Sequence, residues 1–298
     1  MTTINISILY LLAVTIIISA CEMVVDIDMP DHKPVLVINS LFNSDSIFRV
    51  AVSHSIGIQE DASDITNIEN ATIEILENNI SLGSLSWLPI GFYTNPLIKI
   101  TAGASYEIRV SAGDYPAVTS TNTIPLAKMI IIKQVKDSVK IGEAQMEQYV
   151  TEVTIEIPDQ AAEVNFYAIQ IYAEDTFYSS WDDSVWVNSY FLNLSTRDPV
   201  LGQTEEYTQM LKFSDELFNG KNYSAIFYFE ETDKNSIDSV FLYFYSLSSS
   251  YYYYSVTKDL YYRTHNNPFS EPVQVYTNIE NGLGIFAGRC GSRIALQY

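Results

Sequence analysis

Short runs in which apolar and polar residues alternate recur along most of the chain. Alternation with a period of two sends successive side chains to opposite faces of a strand, so each run predicts a half-buried strand. In the first part, Val35-Leu-Val-Ile-Asn39 is rich in β-branched residues, and Phe48, Val50 and Val52 alternate through 47–53. Ile73 and Ile75 alternate with Glu74 and Glu77 over 71–77, and Tyr106-Glu-Ile-Arg-Val110 repeats the pattern. Turn-forming residues stand between these runs at Asn78-Asn79, Gly83, Gly91, Ala102-Gly103 and Gly113-Asp114. That spacing predicts an immunoglobulin-like β-sandwich over 35–125. The stretch from Thr119 to Pro125 reads as an exit strand and a linker, which places a domain boundary near 125.

Beyond 125 the signals are again mostly strands. Lys128 to Val139 is an apolar-basic strand, and Val153, Ile155 and Ile157 alternate strictly within 149–157. Asn165 to Tyr172 is a further strong strand, and the turn residues Pro158-Asp159-Gln160 predict that it forms a hairpin with 149–157. Residues 174–211 show no clear period but many aromatic and acidic residues, as expected of a binding loop or a lid over the sheet. Strands resume at 223–230 and 239–247. From Ser248 to Tyr262 the residues Leu247, Tyr251, Tyr254, Lys258 and Tyr261 recur at spacings of three and four, which predicts a helix capped by Ser248–Ser250. The four consecutive tyrosines Tyr251–Tyr254 also suit a strand. A last strand is expected near Gly284–Gly288. The fold class is therefore mainly β: an N-terminal immunoglobulin-like sandwich and a mainly-β domain over 126–298 with one helix.

The N-terminus carries a different pattern. An apolar run from Ile8 to Ile18 ends in Ser19-Ala20-Cys21. It is short for a membrane span and sits where an export signal sits. A small-residue cleavage site followed by cysteine predicts a lipoprotein signal peptide over 1–20, with Cys21 as the acylated first residue of the mature chain. Residues 1–7 contain no Lys or Arg, so the usual positive segment reduces to the free amine. One acyl chain binds membranes marginally, at roughly 0.8 kcal/mol per buried CH2; two or three, palmitate among them, anchor firmly. Residues 21–34 then read as a tether, kept irregular by Pro30 and Pro34.

Charge and cysteine content narrow the partners. With 36 acidic and 16 basic residues the net charge is −20, which disfavours a nucleic-acid partner and a direct electrostatic grip on anionic lipid; no nucleic acid is expected among the partners. Only two cysteines exist, so lipidation of Cys21 leaves Cys290 without a disulfide partner. Cys290 reads as a buried strand residue rather than a reactive thiol. At 298 residues and 47% hydrophobic, the chain can stabilise itself through its core.

No catalytic constellation or cofactor motif emerges. Gly282-Leu-Gly284 with Gly288 misses the dinucleotide fingerprint, because the third glycine is misplaced and no helix follows. His32, His54 and His265 show no paired ligand spacing. Asp26, Asp28 and Asp31 lack the glycine of a calcium loop and read as an acidic tether. The best binding candidates are Trp181, Trp186 and Tyr190 beside Asp182 and Asp183, since aromatic faces with carboxylates suit a glycan or peptide. Aromatics of a loop packed on the sheet explain the same residues.

Three strings carry a resemblance: Phe213-Ser-Asp-Glu-Leu-Phe-Asn-Gly220, Asn267-Pro-Phe-Ser-Glu-Pro-Val273 and Asn278-Ile-Glu-Asn-Gly-Leu-Gly-Ile-Phe286. With Cys21-Glu22, Val25-Asp-Ile-Asp28 and Pro34-Val-Leu-Val-Ile38, the chain resembles the DUF4249 family of Bacteroidota lipoproteins. The region 174–211 and the tail from Arg289 to Arg293 depart from the pattern. The resemblance implies no assigned activity. It implies an outer-membrane lipoprotein, facing the periplasm or the cell surface, and an accessory, non-catalytic role beside a TonB-dependent receptor. Acidic residues after the lipid cysteine resemble signals for surface export in that phylum. Asp137-Ser138-Val139, Asp183-Ser184-Val185 and Asp238-Ser239-Val240 resemble its O-glycosylation signal, with Ser138, Ser184 and Ser239 as acceptors. A stand-alone glycan- or peptide-binding lipoprotein is the alternative, and a hydrolase with carboxylates assembled in space is a third reading.

Overall fold

The alternating runs become strands in the computed structural model, which describes residues 32–297 apart from 58–59, 62, 64, 143–146, 161–162, 180, 182–183, 203–207, 231–236 and 268. The expected signal peptide, Cys21, Asp182 and Asp183 lie outside the described residues. The first strands are β1 (Leu36–Asn43), β2 (Ala51–His54), β3 (Thr72–Glu77), β4 (Ile80–Leu88), β5 (Phe92–Thr94), β6 (Ser105–Ser111) and β7 (Val118–Thr123). Strands β5-β4-β3-β6-β7 form one antiparallel sheet. Its inward residues Ile73, Ile75, Tyr106, Ile108 and Val110 share a core with Leu36, Ile38, Phe42, Phe48, Val50 and Val52. The alternation of 47–53 serves both layers: Val50 bridges to Tyr93, while β2 pairs with β1. Gly83, expected in a turn, lies inside β4 at φ +118°, where the register with β3 slips by one residue. It forms a β-bulge, a use of glycine that composition does not separate from a turn.

The later elements are β8 (Ile131–Ile141), β9 (Gln148–Ile157), β10 (Phe166–Tyr178), β11 (Val185–Leu192), β12 (Leu194–Ser195), β13 (Leu211–Ser214), β14 (Tyr223–Glu230), β15 (Ser239–Leu247), helix α1 (Ser249–Thr264) and β16 (Leu283–Leu296). One four-stranded sheet runs β12-β14-β9-β8, and a seven-stranded sheet runs β11-β10-β15-β16-β1-β2, with β13 also paired to β10. Val153, Ile155, Ile157, Ala225, Phe227 and Phe229 of the first share a core with Ile169, Ile171, Leu242 and Phe244 of the second. The expected β9–β10 hairpin is not formed. β9 pairs with β8 and β14, and β10 with β11, β13 and β15, so 158–165 carries the chain between sheets. Two strands that bury the same face against one core look alike whether they lie side by side or face each other.

The seven-stranded sheet takes strands from both sides of residue 125, and β16 is its spine. Val37–Asn43 of β1 runs parallel to 283–289, and β15 runs antiparallel to 289–296. Parallel entry beside β1 requires close backbone approach. Gly284 sits at φ +105°, and a Cβ there would collide with the Ile38 carbonyl. Asn278 fixes the entry from outside, donating through Nδ2 to the Phe286 carbonyl at 2.8 Å and accepting from its N–H at 3.0 Å. β16 continues to Leu296, well beyond the expected 284–288, because Arg289, Ser292 and Arg293 hide its period.

Helix α1 forms as expected. Ser248 is its N-cap, accepting from the Tyr251 N–H at 3.3 Å. Tyr251 is buried with Phe166, Ala168, Tyr245, Leu247, Ile285 and Ala287, on the face of the large sheet opposite the β9–β14 layer. Among the described residues no helix is long and apolar enough to cross a membrane.

Candidate functional site

Part of the region expected to be an irregular lid, 174–178 and 185–192, is an extension of the large sheet, and 194–195 join the four-stranded sheet. β10 and β11 pair without a register break from Ile171↔Leu192 to Tyr178↔Val185. β15 begins at Ser239, opposite Glu174. Beyond that point β10 and β11 run on as a two-stranded ribbon with no third strand among the described residues. The Ser179 N–H donates to the Ser184 carbonyl at 2.9 Å across the connection. An isolated two-stranded ribbon is marginally stable in water, so this one depends on the sheet at its root.

Most of the ribbon's side chains are apolar and uncovered. Phe177, Tyr178, Val185 and Val187 are exposed, Trp186 is 65% exposed and Trp181 is 96% exposed. The pairing Phe177↔Trp186 puts those two rings on one face, with Asp175, Asn188 and Tyr190; Tyr178, Val185 and Val187 occupy the other. Trp186 is steadied by its Nε1, which donates to Ser184 Oγ at 2.7 Å. The structure thus brings Trp186 and Tyr190 to one face of β11. Trp181 stands in the connection, and Tyr190 packs partly on the core. Phe177, Tyr178, Val185 and Val187 were not singled out by sequence. Their signal was an uncharged apolar run, Val185-Trp-Val, inside an acidic chain.

At the root an aromatic and arginine cluster occupies the same sheet face as α1. Tyr172 lies 4.1 Å from Phe191 and 4.9 Å from Tyr243, centroid to centroid. Arg289 stacks 3.9 Å over Tyr245 and lies 5.5 Å from Tyr251, and its Nε donates to Asn43 Oδ1 at 2.5 Å. Arg293 stacks 3.6 Å over Phe241 and donates to Glu174 Oε1 at 2.7 Å. Burial pushes the Tyr245 hydroxyl up to about 12, against the pull of Arg289, so it stays protonated at neutral pH. On the opposite face Asp175 is buried, and its Oδ1 has no hydrogen-bond partner among the described residues.

The other sequence candidates are scattered. Ser138 is exposed at a bulge of β8 with φ +53°, Ser184 ends the ribbon connection, and Ser239 opens β15. His54 stacks on Tyr115 and His265 on Tyr261. Among the described residues no group of three or more His, Cys, Asp or Glu side chains is set to hold a metal. Cys290 is buried in β16, where Ser44 Oγ donates to its Sγ at 3.0 Å, as expected of a structural thiol.

Two of the strings that carried the resemblance build structure rather than chemistry. In 213–220, Phe213 and Phe218 fill the core, and the buried Asp215 accepts from the Asn165 N–H and from its Nδ2, each at 2.8 Å. The Gly220 N–H donates to Asp159 Oδ2 at 2.8 Å, and Lys128 Nζ donates to Oδ1 at 3.0 Å. Burial works to raise Asp159, but these donors outweigh it and hold the carboxyl below its ordinary range. In 278–286, Asn278 and Gly284 set the entry of β16, as described above.

Comparison with known proteins gives a family of unknown function. No curated protein matches the sequence. Among solved structures, a crystal structure of Bacteroides uniformis β-glucuronidase aligns over 68% of this chain at 9% identity with a TM-score of 0.18. The aligned chain spans 31% of that enzyme's length, and a similarity this low carries no argument about fold or activity. The family model for a domain of unknown function, DUF4249, matches residues 22–289, and the chain belongs to that family.

Proposed function

We propose that this chain is an outer-membrane lipoprotein, anchored through an acylated Cys21, that serves as a non-catalytic accessory subunit of an envelope complex such as a TonB-dependent receptor. The observation that carries this reading is the ribbon of 175–178 and 185–188, which leaves bulky apolar side chains uncovered on both faces. Contiguous exposed apolar surface on a folded protein marks an interaction site. The Ser-Ala-Cys21 ending of the apolar N-terminal run supports the anchor, and its orientation is to the periplasm or the cell surface. Within the same reading, 35–125 is an immunoglobulin-like domain that borrows β16 for its second layer, and 126–298 is the mainly-β domain that presents the ribbon. The test has two parts. Labelled palmitate should enter the wild type and not Cys21→Ser, and the full chain extracted in mild detergent should co-purify with one stoichiometric outer-membrane protein. A chain that takes no label and always purifies alone overturns the reading.

A second reading is a stand-alone glycan or peptide binder. It is favoured by one observation: Trp186 and Tyr190 share a face of β11, and the connection leading into that strand holds the exposed Trp181. Retention on immobilised envelope glycans should then fall in Trp181→Ala and Trp186→Ala, and unchanged retention removes this reading.

A further inference from the structure

From the way the chain treats its sheet edges we infer that β11 is a docking strand, which adds a basic, extended segment of a partner protein to the large sheet. The inference rests on the reading above that the chain works inside an envelope complex, and it specifies how the partner is held.

An edge strand offers a row of unpaired N–H and C=O groups, and soluble proteins blunt such edges with short strands, bulges, lysines or cover. The edge strand β8 uses bulges and lysines. Lys133, Lys136 and Lys140 point from it to Glu156, Glu152 and Glu147, and its register with β9 breaks twice. β2, β5 and β12 are four, three and two residues long. β7 is covered by the returning chain, with Thr119 bridged to Glu280 and Ser120 Oγ donating to the Asn278 carbonyl. β13 has four residues.

β11 has none of these devices. It is eight residues long, Val-Trp-Val-Asn-Ser-Tyr-Phe-Leu, without Lys, Arg, Pro or Gly, and its register with β10 is unbroken. No strand pairs with its outer side among the described residues. The outer half of β16 beyond Arg289, paired with β15 alone among the described residues, carries Arg293. A long, regular, uncharged edge, unlike those of β8, β7, β16 and the short strands, fits β-strand addition, in which main-chain bonds supply affinity and alternate side chains supply specificity.

Charge selects the occupant. Residues 171–196 contain Glu174, Asp175, Asp182 and Asp183 and no Lys or Arg; Arg293 already pairs with Glu174 and Asp175 is buried, so the excess negative charge of this stretch comes from Asp182 and Asp183, within a chain of net charge −20. A second copy of the chain, itself at −20, would bring like charge to this edge. A foreign strand with Lys or Arg flanking branched or aromatic residues meets both the potential and the apolar row of Val185 and Val187.

The experiment uses the full lipidated chain, tagged, extracted in mild detergent from its native envelope. Wild type is compared with Val187→Lys, which places a guard charge on an exposed position, and with Val187→Thr, which keeps a strand former without the charge. A photo-crosslinking residue is placed separately at Asn188 and Ser189. The account expects Val187→Lys to lose at least tenfold of the co-purified protein at an unchanged Tm, with Val187→Thr retaining it. Both crosslinkers should map to one short basic stretch of that protein, and retention should fall several-fold as NaCl rises from 50 to 500 mM. Equal retention by Val187→Lys overturns the inference while leaving the accessory role standing. Crosslinks to a second copy overturn the foreign occupant, and salt-insensitive retention overturns its basic character. A wild-type chain that purifies alone overturns the accessory role and this inference together.

Discussion

Two regions of this molecule use the same aromatic chemistry to opposite ends. In the core beneath the five-stranded sheet Phe42, Phe48, Tyr106 and Phe286 are buried, with Phe42 4.9 Å from Phe48 and 4.7 Å from Phe286, and Phe48 5.2 Å from Tyr106. Tyr106 keeps its hydroxyl satisfied there, donating to Glu77 Oε1 at 2.5 Å and accepting from the Thr101 N–H at 2.8 Å. In the ribbon Phe177, Tyr178, Trp181 and Trp186 point into water. Burial of apolar area stabilises by about 25 cal/mol per Å², so the first set holds the fold and the second adds little to the isolated chain. The difference is cover: a facing sheet in one case, none in the other. Side chains that leave folding stability unimproved remain free to be buried by another protein.

Mutations sharpen this contrast in order of size. Phe48→Ala should cost about 3–5 kcal/mol in denaturant unfolding, the usual range for emptying an aromatic site in a core. A loss comparable to that of a ribbon residue would break the comparison. Asn278→Ala leaves the Phe286 N–H and carbonyl without their side-chain partner and should cost about 1–3 kcal/mol by the same measurement.

Asp159 gives a pH signature. Its carboxyl is held below the ordinary range in the folded chain, so its ionised form contributes stability above the unfolded-chain value. That contribution disappears as pH falls through the lowered value. The wild-type Tm should therefore drop more steeply between pH 5 and pH 3 than that of Asp159→Asn, and parallel Tm profiles would contradict the assignment. The smallest stability effect belongs to Trp181→Ala and Trp186→Ala, which should change unfolding free energy by no more than about 0.5 kcal/mol. A larger loss would mean that these rings support the fold.

Much of the sheet structure was legible because half-buried strands write their period into the sequence. Ile73, Ile75, Val153, Ile155 and Ile157 all point inward as their alternation required. The helix was legible from its N-cap and its three-and-four spacing, although Tyr261 of the expected buried face is exposed. Pairing was not legible: β9 and β10 alternate alike because they face one another across a core. The length of β16 was hidden by Arg289 and Arg293, whose charged ends lie over aromatic rings while their strand stays paired with β15. β11 was hidden for the converse reason. With Val185, Trp186 and Val187 all apolar, it shows no period, since neither face of the ribbon is covered. The aromatic candidates were therefore found without the strand that presents them.

Amide hydrogen exchange across 185–192 tests the proposed docking role most directly, on the full chain purified alone and together with the protein proposed to co-purify with it in detergent. In the isolated chain alternate amides of β11, those turned away from β10, should exchange within seconds while the amides of β3 and β6 stay protected. In the complex those same β11 amides should slow by at least tenfold. Identical exchange of β11 in both samples would contradict the account, because a strand added to that edge must occupy its outward N–H groups.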